Sequence, residues 1–286
     1  IGTPLAVVAL TVHLLYVNDT FKYGSPRTLV FAVIGCYMFL YAWVQIKRFF
    51  IKGKPYEVVS ITKAAQDTYS IELRATANQH LDYIPGQFAF VSFASPHVVR
   101  EEHPFTISST PSRVPNLHFT IRSCGDWTNT VSHLSPKDKA FISGPYGNFA
   151  HLRFPEAREF IMVAGGIGIT PMLSMLRFMA NVNDKRKITL IWSNRTSKHI
   201  VYPDEFSELE ERLSGLSIVN VLTREPEYDG EKGRLDEAKF RRLLAGCSIQ
   251  STVFTCGPSD MMKDAYRALR RIGFPCRSII MERFSL

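Results

Sequence analysis

The sequence lacks the short cysteine and histidine motifs that mark disulfide-rich and zinc-binding chains. Its five cysteines form no CxxC pair, and no HExxH motif is present. This pattern disfavours a disulfide framework or a structural zinc site, and it is typical of domains in a reduced, intracellular compartment. Internal repeats and low-complexity tracts are also absent, which excludes solenoid and fibrous architectures.

Acidic residues are the scarcer charge. The chain has 34 lysines and arginines against 26 aspartates and glutamates, a formal net charge of +8. This balance favours phosphates, nucleotides or anionic lipid head groups as partners. Because the basic residues are spread out rather than grouped in one stripe, we expect no nucleic-acid partner. With 286 residues, 45% of them hydrophobic, the chain has room for about two domains and an extra segment.

Two apolar runs occupy the start of the chain. Residues 4–17 are almost wholly apolar, and residues 28–46 carry no formal charge and are about long enough to cross a bilayer as a helix. Basic residues follow at once, namely Lys47, Arg48, Lys52 and Lys54. By the positive-inside rule, this end and all that follows face the cytoplasm. Residues 1–54 are therefore predicted to hold transmembrane helices of an integral membrane protein in contact with membrane lipid.

Two other interpretations of these runs are weaker. A secretory signal lacks its basic start and cleavage site here, whereas a buried helical hairpin of a soluble protein stays an alternative. The first run is too short for a full span and opens on Ile1 in mid-pattern. We therefore expect the chain to begin partway through a membrane helix.

The pattern of apolar residues changes once in the remaining sequence. Residues 55–152 contain short alternating segments rich in β-branched and aromatic residues, which predicts a small antiparallel β-barrel. Residues 153–286 alternate apolar strand-like segments with helix-like segments at about 171–180, 204–213, 235–244 and 259–272. This second pattern predicts a parallel sheet covered by helices. The fold class is thus a β-barrel followed by an α/β domain, preceded by the transmembrane helices.

A turn of small residues opens the α/β module. Residues 162–171 read MVAGGIGITP, so Gly165, Gly166 and Gly168 lie between the first strand and the first helix. Bare backbone there lets ligand phosphates approach the amides and the positive end of the helix. Pro171 suits the first helical turn, where a missing N–H costs nothing. The alternative is a tight turn that merely needs glycine.

Other strand ends favour a nucleotide at the same edge. Arg195 follows ITLIWSN and can hold a 2′-phosphate, and Cys256 follows TVFT and would lie near a nicotinamide. Taken singly, Arg195 is better explained as a solvated loop charge and Cys256 as a small core residue. Their common edge with the glycine turn reverses that preference, because ligands of open α/β sheets bind beyond the carboxyl ends of the strands.

The barrel module carries two further motifs. HPFTISS joins Phe105 to the hydroxyls of Thr106 and Ser108, which suits the apolar face and polar N5 edge of a flavin. IRSCGDWT places Arg122 on a strand and Gly125 and Thr128 at a helix start, which suits a pyrophosphate. Each stretch alone would also pass as barrel core with a polar turn.

Together, the ordered motifs HPFTISS, IRSCGDWT, GPYG, GGIGITP, WSNR, CGP and MERF resemble the ferredoxin–NADP reductase superfamily. More closely, they resemble the dehydrogenase half of NADPH oxidases and ferric reductases. The resemblance covers about residues 55–286. It implies Thr106 near flavin N5, Phe105 against the ring, Arg195 at the 2′-phosphate, and Phe284 as an aromatic that covers the flavin and must move aside for nicotinamide.

The motifs and the resemblance together give three sets of site residues. The FAD set is His103, Pro104, Phe105, Thr106, Ser108, Arg122, Gly125, Trp127 and Thr128. The NADPH set is Gly165, Gly166, Gly168, Thr170, Pro171, Arg195, Cys256, Gly257 and Pro258, with Phe284 shared between the two cofactors. The catalytic set is Thr106, Cys256, Glu282 and Phe284. Ser285 and Leu286 follow the aromatic, which departs from the family pattern.

His13 lies within the first apolar run, where a polar group is costly and indicates function. In the resembled family two haems lie between two helices, each with two histidines about 13 residues, or 20 Å, apart. The resemblance therefore implies that His13 is a haem b ligand with a partner upstream. A histidine near a membrane interface is the alternative.

The resemblance implies that a hydride passes from NADPH, or NADH, to FAD, and that single electrons then pass through haem across the membrane. We expect oxygen as the acceptor, giving superoxide, with ferric iron as the second choice and a protein partner as the third. A nucleotide-sensing membrane scaffold without turnover is the alternative outside enzymes. The chemistry belongs to the cofactors, in keeping with the absence of an evident acid/base dyad or nucleophile triad.

Overall fold

The computed structural model describes residues 25–50, 53–76, 80–113 and 115–283. The chain divides into two compact units, Ile1–Lys52 and Gly53–Leu286. His13 and the apolar run 4–17 lie outside the described residues, as does Phe284 with the two residues that follow it.

In the first unit, Ser25–Phe50 form helix α1 of 26 residues. Aromatic pairs four residues apart stack along it, with the Tyr37 and Tyr41 rings 6.4 Å apart and the Phe39 and Trp43 rings 6.2 Å apart. No helix in the described ranges is long and apolar enough to cross a membrane, because a span needs sustained apolar character as well as length. The transmembrane span expected over residues 28–46 has no support from this finding and stays a prediction.

The second unit begins with an antiparallel sheet. Its strands are β1 (Lys54–Ala65), β2 (Thr68–Ala75), β3 (Phe88–Ala94), β4 (His103–Thr106), β5 (Asn116–Arg122) and β6 (Lys139–Tyr146), with the short helix α2 (Asp126–Thr130) after β5. The spatial order is β4-β3-β6-β1-β2-β5, and a bridge between Ile107 and Phe119 joins the outer strands into a barrel. Alternate residues along β3 are buried, as the period of two requires. The predicted antiparallel β-barrel is confirmed.

The α/β module has a six-stranded parallel sheet. Its strands are β7 (Glu159–Gly165), β8 (Lys187–Asn194), β9 (Leu216–Leu222), β10 (Glu231–Lys232), β11 (Thr252–Cys256) and β12 (Ile279–Glu282). Its helices are α3 (Thr170–Asn181), α4 (Pro203–Arg212), α5 (Glu237–Leu243) and α6 (Ser259–Ile272). All seven residues of β7 are buried, as expected of a central strand covered on both faces. The predicted α/β fold is confirmed.

The strand order places a crevice at one point of this sheet. The order is β10-β9-β8-β7-β11-β12, so the chain runs outward from β7 in one direction and then returns to build β11 and β12 on the other side. The reversal falls between β7 and β11, and ligands of open sheets bind beyond the carboxyl ends of the strands at such a switch point. The glycine turn follows β7 and Cys256 ends β11, so both lie at this crevice. The domain boundary predicted at residues 152 and 153 stays a prediction.

Candidate functional site

Two glycines of the turn allow backbone to pack on backbone. A Cβ on Gly168 would lie 2.3 Å from the carbonyl oxygen of Cys256, and a Cβ on Gly165 would lie 2.7 Å from Cδ of Pro258. Gly257 has a φ of +155°, and a Cβ there would lie 2.9 Å from Gly165. The turn after β7 therefore fits against the turn after β11. For Gly165 and Gly168, close packing alone is a sufficient reason for glycine.

Gly166 faces the barrel module. Its φ is +53°, and a Cβ there would lie 3.3 Å from Nη1 of Arg122. The indole N–H of Trp192 donates to the Gly166 carbonyl at 3.0 Å, which fixes the turn. Behind it, Thr170 donates its hydroxyl to the carbonyl of Ile167 at 3.1 Å, and Pro171 is buried in the first turn of α3. Thr170 and Pro171 thus shape the turn, while Gly166 presents it to the crevice.

Cys256 and Glu282 end neighbouring strands. They are paired across β11 and β12, and Cys256 is fully buried. Burial raises the pKa of the Cys256 thiol well above its usual value, and the nearby Glu282 carboxylate raises it further. Burial also raises the pKa of Glu282 to about 7. The thiol is therefore neutral at pH 7, whereas Glu282 exchanges a proton in the neutral range.

Gly147 brings the barrel to this carboxyl group. A Cβ on Gly147 would lie 3.2 Å from Oε1 of Glu282 and 3.1 Å from Cδ1 of Phe88, and its φ is +95°. The other oxygen of Glu282, Oε2, is buried and has no hydrogen-bond partner among the described residues. The glycine leaves a narrow cradle, tight even for a methyl group, between the Phe88 ring and Oε1 of Glu282.

Thr106 ends β4 beside this cradle. It is paired with Phe88, and Phe88 is paired on its other side with Tyr146. The rings of Phe88, Phe90 and Tyr146 lie 5.6–5.9 Å apart. Thr106 is 4% exposed, and its hydroxyl has no hydrogen-bond partner in the part of the chain that the structure describes. An orphaned hydroxyl and carboxyl oxygen beside an aromatic surface fit a planar ring with a polar edge, as a flavin has.

The other face of β4 is part of the barrel wall. Phe105 stacks on Trp127 with ring centroids 5.8 Å apart, and His103 lies 4.2 Å from the same indole. The Trp127 N–H donates to the carbonyl of Val99 at 2.8 Å. Because successive strand residues point to opposite faces, Phe105 and Thr106 are directed apart. Pro104, paired with Phe90, is on the same face as Thr106.

Two predicted FAD ligands, Thr128 for the pyrophosphate and Ser108 for the flavin edge, have hydroxyls that are engaged within the chain. The Thr128 hydroxyl accepts from the amides of Cys124 and Gly125 at 2.9 Å each and so closes the turn before α2. The Ser108 hydroxyl donates to the carbonyl of His118 at 3.0 Å. In these positions the hydroxyls of Thr128 and Ser108 stabilise local structure.

Arg122 lies at the junction of the two modules. It binds the carboxylate of Asp67 through Nε and Nη2, at 2.7 Å each, and reaches Gly166 with Nη1. A small cavity there is also lined by Asn194 and His199. The structure thus places Arg122 against the glycine turn, and its assignment to the pyrophosphate of FAD stays a prediction.

Asn194 was missed by sequence reasoning. It ends β8, is 4% exposed, and neither its amide oxygen nor its nitrogen has a hydrogen-bond partner within the described ranges. Its position directly before Arg195, at the same strand end, was the available signal. Arg195 itself is exposed, and Pro258 precedes α6 at the same edge of the sheet.

Comparisons with known proteins agree with this arrangement. Residues 64–150 match the FAD-binding domain family, and residues 162–267 match the oxidoreductase NAD-binding domain family. The chain therefore carries an FAD-binding domain followed by an oxidoreductase NAD-binding domain.

Individual proteins of known name are similar to this chain. NADH-cytochrome b5 reductase 2 from Mycosarcoma maydis is 31% identical over 166 residues, 56% of this chain and 47% of that protein. Sulfhydrogenase 1 subunit gamma from Pyrococcus furiosus is 30% identical over 201 residues, 69% of this chain and 66% of that protein. The crystal structure of a cytochrome P450 reductase from Amycolatopsis shares the fold, with a TM-score of 0.72 and 20% identity over 82% of this chain and 70% of that one. These relatives support the superfamily, and the closer resemblance to NADPH oxidases and ferric reductases stays a prediction.

Proposed function

We propose that this chain transfers a hydride from NADPH, or NADH, to FAD and then passes the electrons singly to an acceptor. The observation that carries the proposal is the convergence of the two domains at the switch point. Thr106 and Gly147 come from the FAD-binding domain, and Cys256 and Glu282 come from the NAD-binding domain. A hydride donor and its acceptor ring need this kind of shared cleft.

Residues of both domains would contact the flavin and the nicotinamide where the two domains meet. Bound FAD supplies the chemistry, since it accepts two electrons as a hydride and releases them one at a time. Thr106 offers a hydroxyl donor, and Gly147 lets the GPYG turn approach Phe88 and Glu282 closely. Cys256 places a small neutral thiol at the buried end of β11, and burial of Glu282 lets its carboxyl group hold a proton near neutral pH.

The dinucleotide has a separate set of contacts at the same edge. Gly166 and Arg122 offer backbone and positive charge for phosphates, and Asn194 offers an unpaired amide. Exposed Arg195 follows β8 and suits the 2′-phosphate that distinguishes NADPH from NADH. These contacts support NADPH as the preferred donor.

The acceptor is proposed to be a one-electron carrier protein of the cytochrome kind. One relative is named for cytochrome b5, which supports this choice. Oxygen reached through haem, with superoxide as product, and ferric iron are the acceptors that the sequence resemblance favours, and they form separate arms of the test. A cytoplasmic location is part of the proposal and is supported by the five free cysteines.

Anaerobic absorbance spectroscopy tests the proposal. The chain is loaded with FAD, mixed with NADPH, and then exposed in separate samples to an oxidised cytochrome, a ferric chelate or air. Bleaching of the flavin band followed by rapid reoxidation in the cytochrome sample is expected. A flavin that stays oxidised beside bound NADPH would contradict the enzyme and support a nucleotide sensor. Fast reoxidation by the ferric chelate alone would identify ferric iron as the acceptor. Fast reoxidation by air alone, with superoxide formed, would identify oxygen as the acceptor.

A further inference from the structure

Helix α3 connects the glycine turn after β7, called here the dinucleotide turn, to the segment that follows β4. It begins directly after the turn Gly166–Ile169 and runs along the FAD-binding domain. Ser174 is fully buried, and its hydroxyl donates to the carbonyl of Ser109 at 2.6 Å. Arg177, three residues further on and therefore on the same helix face, donates through Nη1 to the carbonyl of Ser108 at 2.6 Å. Both acceptors lie just beyond Thr106 in the chain.

Arg177 is itself fixed in orientation. Its Nε and Nη2 each donate at 2.6 Å to the carboxylate of Glu205 in α4. Its guanidinium lies 5.4 Å from the ring centroid of Tyr202, and its side chain is 13% exposed. A paired, largely buried guanidinium loses little further entropy on holding the carbonyl of Ser108.

The two serines are anchored on the barrel side as well. Ser108 donates its amide to the carbonyl of His118 at 2.8 Å. The Ser109 hydroxyl accepts from the amide of His118 at 3.1 Å and contacts the hydroxyl of Tyr83 at 2.8 Å. Each serine therefore accepts from the NAD-binding domain at its carbonyl and contacts the barrel through its hydroxyl, and Ser108 also through its amide. The segment after Thr106 is held from both domains.

We propose that Ser174 and Arg177 are positioning residues that set the placement of Thr106 relative to the dinucleotide turn. Neither residue belongs to a predicted cofactor set, and both donate to backbone carbonyls, those of Ser109 and Ser108. Their hydrogen bonds join α3 to the backbone of Ser108 and Ser109, two and three residues after Thr106. A shift of the dinucleotide turn is therefore transmitted to Thr106. The inference rests on the proposed function, because it assigns these contacts to the alignment of hydride donor and acceptor.

The variants are Ser174→Ala, Arg177→Met and Arg177→Lys. A matched control is Asn181→Ala, since Asn181 lies on the same helix and donates to the Ser112 hydroxyl of the barrel at 2.7 Å. Asn181 thus loses a contact between the same two domains without touching residues 108 and 109. Four quantities are measured: amide hydrogen exchange over residues 106–110 with and without FAD, the FAD dissociation constant, the limiting rate of flavin reduction by NADPH, and the KM for NADPH.

Arg177→Met and Ser174→Ala are expected to speed exchange over residues 106–110 and to slow the limiting reduction rate about tenfold, since a misplacement of about 1 Å can slow a reaction about 100-fold. The FAD dissociation constant and the KM for NADPH should change less than about twofold, because neither variant removes a ligand contact. Arg177→Lys should recover part of the rate, because lysine keeps one donor but not the fork.

Unchanged exchange in both Ser174→Ala and Arg177→Met would overturn the inference. So would a reduction rate no lower than that of Asn181→Ala, because loss of any contact between the domains would then have the same effect. If the unmodified chain is not reduced by NADPH, the proposed function fails as well, whereas the exchange data still show whether the segment is held from α3.

Discussion

Oε1 of Glu282 lies 3.2 Å from the place that a Cβ on Gly147 would occupy, so the last strand of the NAD-binding domain meets the GPYG turn of the barrel at one glycine. The two residues are far apart in sequence and belong to different domains. Cys256 is paired with Glu282 across β11 and β12, and Thr106 is paired with Phe88, whose ring lies beside Gly147.

Substitution of Gly147 by alanine should damage this contact. The residue has a φ of +95°, and a Cβ would crowd both Phe88 and Glu282. We expect the variant to lose about 1–3 kcal/mol of unfolding free energy and to bind FAD more weakly. Gly246→Ala is the control, because no atom lies within 4 Å of a Cβ there. Equal urea midpoints and FAD affinities for the two variants would contradict this role.

Arg195→Ala should discriminate between the two nicotinamide donors. A guanidinium at the 2′-phosphate contributes to NADPH binding only, so the KM for NADPH should rise about tenfold or more while that for NADH stays nearly constant. Steady-state kinetics with both nucleotides measure this difference. Parallel changes in the two KM values would remove Arg195 from the 2′-phosphate site.

Glu282 should make the free energy of unfolding fall as the pH rises. Its pKa is raised from 4.5 to about 7 by burial, so the folded state binds the proton more tightly than the unfolded state. Stability should therefore fall by up to about 3 kcal/mol as the pH rises through this window and then level off. Glu282→Gln cannot ionise and should lack this slope in urea titrations. A slope that persists in the variant would assign it to another group.

His151 should produce the opposite slope. It is fully buried, and burial lowers its pKa from 6.5 to about 4, so the folded state holds the neutral ring. Stability should fall by about 3 kcal/mol as the pH drops from 6.5 to 4, because only the unfolded state takes up the proton there. His151→Gln should flatten this decline, whereas a variant of exposed His97 should retain it. An unchanged decline in His151→Gln would exclude the histidine as its source.

Much of the fold follows from sequence periodicity. The alternation in β3 and the wholly buried β7 have direct signatures in the chain, so the barrel and the parallel sheet are predictable. The same alternation explains one difference in the site. Phe105 and Thr106 are neighbours in sequence, but a strand directs them to opposite faces, and Phe105 packs on Trp127.

The rest depends on contacts between distant segments. Gly168 packs on the carbonyl of Cys256, and Arg122 is held by Asp67 beside Gly166. A local sequence pattern does not predict which strand end a glycine will pack against or which carboxylate will form an ion pair with an arginine. Thr128 likewise satisfies two amides of its own turn, a use that the motif GDWT does not distinguish from phosphate binding.

The most direct measurement is the rate of flavin reduction by NADPH in Thr106→Val, observed by anaerobic stopped-flow absorbance. Valine keeps the shape and removes a buried, unpaired hydroxyl, so stability should hold or rise while reduction slows about tenfold to a hundredfold. Thr189→Val, at a buried position within β8, is the control and should leave the rate unchanged. Equal rates in the two variants would show that the hydride does not pass beside Thr106 and would contradict the cleft as the reaction site.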